Sequence, residues 1–394
     1  MRRFFAFFVL AGLCSVAFAQ EGRDPSNSSS PSSAPVQVVY VIDSATLTTY
    51  NINSQTLQAT EVGTLTLPES VYPGIFASQN GKFLYYTAFE NYSQQGQKLY
   101  VYQTNASGVP NSTPVQTLSV TRLGGLVIDP VSNFIYAEFA GPQGSEDTPY
   151  AIERYVVDPA TGKISQPVVE AKYSLASSEG GLFCSLSIMN VNSAGTELYD
   201  GIPCSNPFGE QAAYNERAIT ASTGALAPDV QIYSWNNDES ESTQSVYFVK
   251  NLLFDFVDNY GETNANQVNI YPIQPNVTTP VISCGTDQFA PCGDFIDALV
   301  HPSAQYVFLT DPTSTTYIGK VNLNLRQINP ESSSIPYEVQ AFSPDGTIAY
   351  GANDVNGALD IEIYGFNAAT GAVTQGGTIS VPSDLDSWVA AERY

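Results

Sequence analysis

The feature that most constrains this chain is a phrase of two apolar runs joined by a tight turn, which returns about seven times along the sequence. Its clearest copy is Val339-Gln340-Ala341-Phe342-Ser343-Pro344-Asp345-Gly346-Thr347-Ile348-Ala349-Tyr350. Pro presets φ and Gly accepts positive φ, so Ser-Pro-Asp-Gly reverses the chain and the flanking runs read as paired strands. A hairpin that is apolar on both faces cannot bury itself alone. It must stack on copies of itself.

Taking the aromatic of the second run as a landmark gives Tyr40, Tyr85, Tyr136, Tyr199, Phe256, Phe308 and Tyr350, at intervals of 45, 51, 63, 57, 52 and 42 residues. Phe254 competes with Phe256 for its place. Ahead of the landmarks stand candidate inner strands at 74–77, 125–129, 185–190, 245–249, 296–301 and 339–342. Their β-branched and aromatic content supports strands, and helical periodicity is scarce. A second turn recurs in Asp158-Pro159-Ala160-Thr161-Gly162, Ala221-Ser222-Thr223-Gly224 and Ala368-Ala369-Thr370-Gly371, between third and fourth strands. The sequence therefore predicts an all-β chain folded as a seven-bladed β-propeller of four-stranded antiparallel blades.

The ends of the repeat array predict how the ring closes. Val38-Val39-Tyr40-Val41-Ile42 reads as a second strand lacking its inner partner, and Ser387-Trp388-Val389-Ala390-Ala391 as an inner strand lacking the rest. Pairing N- and C-terminal strands in one shared blade hides two sheet edges that otherwise invite aggregation.

Residues 1–19 read as a signal peptide: Arg2-Arg3, a mostly apolar stretch, then Ala17-Phe18-Ala19 before the cleavage point. Residues 20–35 are a Ser- and Pro-rich flexible leader with little to bury, and 36–394 form the propeller. The expected location is secreted or periplasmic, with no membrane span, because no later segment offers the ~20 apolar residues a span needs. The net formal charge of −24 repels nucleic acid. A monomer is expected.

Four cysteines remain after signal removal, and export favours disulfides. Cys184 and Cys204 are equidistant from the turn at Ala194, so they should face each other across a hairpin. Cys284 and Cys292 bracket a short loop. The spacing and the histidine supply fit zinc poorly. Both bridges fall on the face carrying the connections into the inner strands. The longest insertions, 141–150, 174–183, 205–215 and 284–295, fall there too, which makes this the face where binding is expected.

The pattern Ser-Pro-Asp-Gly followed by Tyr350-Gly351-Ala352-Asn353, with counterparts Tyr40-Val41-Ile42-Asp43, Phe256-Val257-Asp258-Asn259 and Phe308-Leu309-Thr310-Asp311, resembles the YVTN-type repeat of seven-bladed propellers. That group includes the lactonase-like, 6-phosphogluconolactonase-type propellers, and the resemblance covers essentially all of 36–394. A lactonase-like enzyme is expected to carry an Arg-His pair ahead of an inner strand. The matching positions here hold Gly74 and Ile75, and Arg122 is the arginine nearest an inner-strand start apart from Arg393.

The chain has one histidine, His301, placed by its turn on the opposite face, where a capping role is expected. No Gly-x-Ser-x-Gly elbow, phosphate loop or dinucleotide fingerprint occurs. What remains for the channel mouth is acidic and aromatic: Glu179, Asp294, Glu338, Asp384 and Asp386, with Tyr72, Phe183, Tyr337 and Trp388 as ligand-stacking candidates. No cofactor is required by these residues, although ringed carboxylates suit Ca²⁺. The first reading is an exported module binding a small molecule, glycan or protein on its loop-rich face without catalysis. The alternative is a lactonase-like hydrolase of lactone or sugar-like substrates using Arg122 with the mouth carboxylates Glu179, Asp294, Asp384 and Asp386.

Overall fold

A computed structural model describes residues 36–68, 70, 74–78, 80–88, 97–120, 123–130, 133–139, 150–173, 183–184, 187–206, 209–238, 242–258, 266–285, 289–355, 358–381 and 385–393. The signal peptide and leader expected at 1–35 lie outside the described residues. Seven antiparallel sheets follow one another around a ring. Blade 1 runs from its inner strand Leu385–Arg393 through Val36–Asp43 and Thr46–Ile52 to Ala59–Thr66. The shared blade expected from the sequence is therefore present, with Tyr40 opposite Val389 and Val41 opposite Trp388.

Blades 2 and 3 begin with inner strands Gly74–Ala77 and Leu123–Ile128. Blade 4 has an inner strand in two pieces, Phe183–Cys184 and Ser187–Val191, both paired to Glu197–Asn206. Blades 5, 6 and 7 begin with Ser242–Val249, Asp297–Val300 and Glu338–Phe342. Apart from one 3-10 turn, Ala290–Gly293, every regular element among the described residues is a strand.

Second strands are buried on both sides because each blade is clamped between two others. Phe83–Ala88 and Tyr306–Thr310 are buried at every position, so they read as continuous apolar runs instead of alternating ones. Outer strands such as Ala372–Ser380 are largely exposed.

The tyrosines of the repeat do more than fill space. Tyr40 Oη donates to the Gly108 carbonyl at 2.7 Å, Tyr136 Oη to Gly224 at 2.8 Å, and Tyr306 Oη to Ala368 at 3.0 Å. Each carbonyl lies in the third-to-fourth-strand turn of the following blade, so the hydroxyl of one blade satisfies the turn of the next. A buried hydroxyl needs such a partner, and the recurring turns supply it.

The structure makes two corrections to the repeat. Phe254, not Phe256, holds the landmark place in blade 5: it is the third residue of Leu252–Asp258, as Tyr85 is of Phe83–Ala88 and Phe308 of Tyr306–Thr310. Both phenylalanines face the same way, two residues apart, so sequence alternation cannot separate them. The loop expected at 205–215 is instead a continued hairpin, Glu197–Asn206 with Gly209–Ala218, paired out to Asn206 and Gly209. Its polar composition marked it as a loop, but the alternating pattern suits two strands that project from the ring.

Candidate acidic site at the channel mouth

Inner strands line the axis of the ring, and their first residues stand at the mouth. In blade 6 that residue is Asp297 and in blade 7 it is Glu338; both are half-buried while their successors are buried. Asp297 and Glu338 lie near enough across the step between the blades for their carboxyl groups to act on each other. Burial, and then the charge of Glu338, push the Asp297 pKa up to about 7. The Asp297 carboxyl thereby holds its proton close to neutrality, as expected when a carboxyl is buried and a like charge stands beside it.

The surroundings fix both partners. Asp297 Oδ1 accepts the Ala298 N–H at 2.8 Å, and the Ala298 carbonyl accepts Tyr247 Oη at 2.8 Å from the inner strand of blade 5. Burial, and then the charge of Asp297, raise the pKa of the Tyr247 hydroxyl, so it stays a donor. Tyr247 meets Phe256 edge-on at 5.8 Å, and Phe256 meets Phe295 edge-on at 5.9 Å, giving the pair an aromatic floor. On the other side Gln340 Nε2 donates to Glu338 Oε1 at 3.3 Å.

The sequence pointed to Glu338 but missed Asp297. Residues 296–301 read as one strand, so Asp297 passed as a strand interior position; its partner belongs to the next repeat. A signal was present, since Asp297 and Glu338 hold equivalent places at the openings of successive inner strands.

The other mouth candidates fare differently. Asp294 is exposed beside the 3-10 turn, its N–H donating to the Pro291 carbonyl at 3.4 Å. Tyr337 and Trp388 are half-buried, the latter edge-on to Tyr350 at 5.7 Å, so both rings are committed in part to packing. Tyr72, Arg122, Glu179 and Asp384 lie outside the described residues. Phe183 and Asp386 stand on described strands, but their side chains lie outside the description. Among the described residues no three His, Cys, Asp or Glu side chains converge as a metal ion requires.

Cys284 and Cys292 form a disulfide with Cα atoms 5.8 Å apart, both buried in the core shared by blades 5 and 6. It anchors the 3-10 turn and Phe295, which lead directly into Asp297. Cys184 and Cys204 stand opposite each other across the blade 4 hairpin, as the spacing from Ala194 predicts.

His301 is on the other face and buried. Its Nε2–H donates to the Gly346 carbonyl at 2.9 Å, and its Nδ1 accepts the Ser303 N–H at 3.1 Å, which assigns the neutral tautomer. Phe308, Phe342 and Phe366 surround the ring, and burial pushes its pKa down to about 4. It joins two blades and takes no part in the mouth. At Gly74 a Cβ would collide with Thr87 Oγ1, so the place where the lactonase resemblance expects an arginine cannot carry a side chain without a shift.

No family model and no curated protein matches the chain. Solved structures do. The periplasmic gluconolactonase PpgL of Pseudomonas aeruginosa superposes with a TM-score of 0.58 at 12% identity, covering 91% of this chain and 99% of that one. A protein from Lactobacillus plantarum gives 0.57 at 9% identity, over 92% of this chain and 100% of its own. Puromycin hydrolase gives 0.56 at 13% identity, over 93% of this chain and 57% of that one. No described helix is long and apolar enough to cross a membrane. At such identities the likeness is one of fold alone, and in fold this chain is a seven-bladed β-propeller.

Proposed function

We propose that the protein is an exported hydrolase of small lactone or sugar-derived substrates, acting at the channel mouth with Asp297 and Glu338 as its acid–base pair. The observation that carries this reading is the half-buried Asp297 carboxyl at the opening of its inner strand, beside Glu338 at the opening of the next, with its pKa pushed up to about 7 by burial and then by the Glu338 charge. A carboxyl perturbed in this way is matched to general acid–base work at neutral pH. The fold shared with a gluconolactonase supports the substrate class.

In this reading the Glu338 carboxylate removes a proton from water as its oxygen bonds to the lactone carbonyl carbon. The carbonyl π electrons move onto oxygen. As they return, the ring C–O bond breaks, and the Asp297 carboxyl supplies a proton to the departing alkoxide. Water and lactone become one hydroxy acid. The Glu338 carboxyl, now protonated, returns its proton to the neighbouring Asp297. Arg122, the sequence's candidate to act with the mouth carboxylates, lies outside the described residues.

A second reading, ligand binding without turnover, is favoured by the position of His301 on the opposite face and by the crowding at Gly74. Two measurements separate the readings. Hydrolysis of glucono-δ-lactone and simple γ-lactones, followed by pH-stat, should be seen for the intact protein and fall by about 10²-fold or more in Asp297→Asn and Glu338→Gln. Calorimetric binding of those lactones without any turnover would instead establish the binding module.

A further inference from the structure

Behind the acidic pair, in the second and third strands of blade 6, stand two buried threonines, Thr310 and Thr316. The Thr316 hydroxyl donates to the Tyr337 carbonyl at 2.8 Å and accepts the Val339 N–H at 3.1 Å. These groups flank Glu338 on either side. One side chain of blade 6 therefore fixes the backbone that presents Glu338 from blade 7. The Thr310 and Thr316 hydroxyls are 2.8 Å apart. Because Thr316 has a single proton, spent on Tyr337, Thr310 is the donor between them.

Thr310 also governs the other partner. It is the cross-strand neighbour of Asp297, and its carbonyl accepts the Ile296 N–H at 2.8 Å, one residue before Asp297. The hairpin joining the threonines is itself pinned. Asp311 Oδ1 accepts the N–H groups of Thr313 at 2.8 Å and Thr315 at 3.0 Å. Both carboxyl groups are thus referenced to one rigid hairpin: Asp297 through the main chain of Thr310, and Glu338 through the hydroxyl of Thr316.

We propose that Thr316 is a positioning residue for the acidic pair, setting the separation of Asp297 and Glu338 through its bracket around Glu338, with Thr310 holding its hydroxyl in place. The proposal rests on the hydrolase reading for its catalytic meaning, although the geometry stands without it. Among the described residues, the ionisable groups bearing on Asp297 are Glu338 and Tyr247.

The test is Thr316→Val, which keeps the shape and removes the hydroxyl, beside Thr316→Ser, which restores it. The Asp297 proton is read directly by infrared titration of the protonated-carboxyl stretch, assigned by its loss in Asp297→Asn. Thr316→Val should lower the midpoint by about one pH unit as the pair loosens, and Thr316→Ser should keep it. On glucono-δ-lactone the pH profile of kcat/KM should move by the same amount. Thr104→Val is the stability control, because Thr104 is also buried and donates to the Gly81 carbonyl on the other face. Its midpoint should stay where the intact protein has it.

A folded Thr316→Val that titrates like the intact protein overturns the proposal, as does an equal shift in Thr104→Val. If Thr316→Val does not fold, Thr310→Val is read in the same way. A midpoint shift in a protein that turns over no lactone supports the positioning role and sinks the hydrolase reading alone.

Discussion

Glu338, the first residue of one inner strand, adds its charge to the burial that raises the pKa of Asp297, the first residue of the inner strand before it. Neither strand alone makes a site. The ring brings the residues together, and burial there favours the protonated form of Asp297.

That proton has a thermodynamic signature. An ordinary aspartate titrates near ~4, whereas Asp297 is pushed up to about 7. The folded protein binds the proton more tightly, so this stabilisation is full below the ordinary value and is lost as pH rises through 7. Asp297→Asn, which keeps a donor but cannot ionise, should match the intact protein near pH 4 and exceed it at pH 8 by on the order of 1–3 kcal/mol. Urea denaturation at the two pH values measures the gap.

His301 has the opposite sign. Its pKa falls to about 4 from an ordinary value near ~6.5, so its contribution is full above the ordinary value and is lost as pH drops through 4. Between these values the histidine and the aspartate oppose each other. Asp297→Asn should therefore show a steeper acid-side loss of stability than the intact protein. Adding His301→Gln should shrink that slope.

Gly346 sits under the histidine with φ of +72°, and a Cβ there would lie 2.6 Å from His301 Nε2. Gly346→Ala should cost about 2 kcal/mol or more, from left-handed strain and collision together. Thermal unfolding would detect it, and a cost near zero would mean that the turn adapts freely.

The Cys284–Cys292 disulfide closes a short loop, with a sequence separation of 8. Its removal as Cys284→Ser/Cys292→Ser should cost roughly 2–3 kcal/mol on the loop-entropy account. The expected result is a lower denaturation midpoint in the double variant without added reductant.

Tyr136→Phe deletes a buried donor and leaves the Gly224 carbonyl of the next blade without it. A loss of about 1–2 kcal/mol is expected. Hydrogen exchange should localise the loosening to the turn at 221–224 as well as to the mutated blade.

The sequence was readable where one physical demand repeats and opaque where a demand arises once. Ser343-Pro344-Asp345-Gly346 announces its hairpin because reversing a chain in four residues needs those side chains, and Trp388 announces ring closure because an inner strand had no partner nearby. Phe254 was hidden behind Phe256 by the two-residue strand period. Asp297 was hidden more deeply, since its altered chemistry belongs to a contact with the following blade. The threonines of blade 6 had no sequence signal at all, because a hydroxyl that brackets a neighbouring strand looks like any other β-branched residue.

The pairing of Val36–Asp43 with Leu385–Arg393 has a consequence in time. During synthesis the first blade must wait, open along its inner edge, until the last strand has been made. The axis around which Asp297 and Glu338 are set is then completed in a single late event. A nascent chain can hold every residue of the site and still have no mouth to put them in.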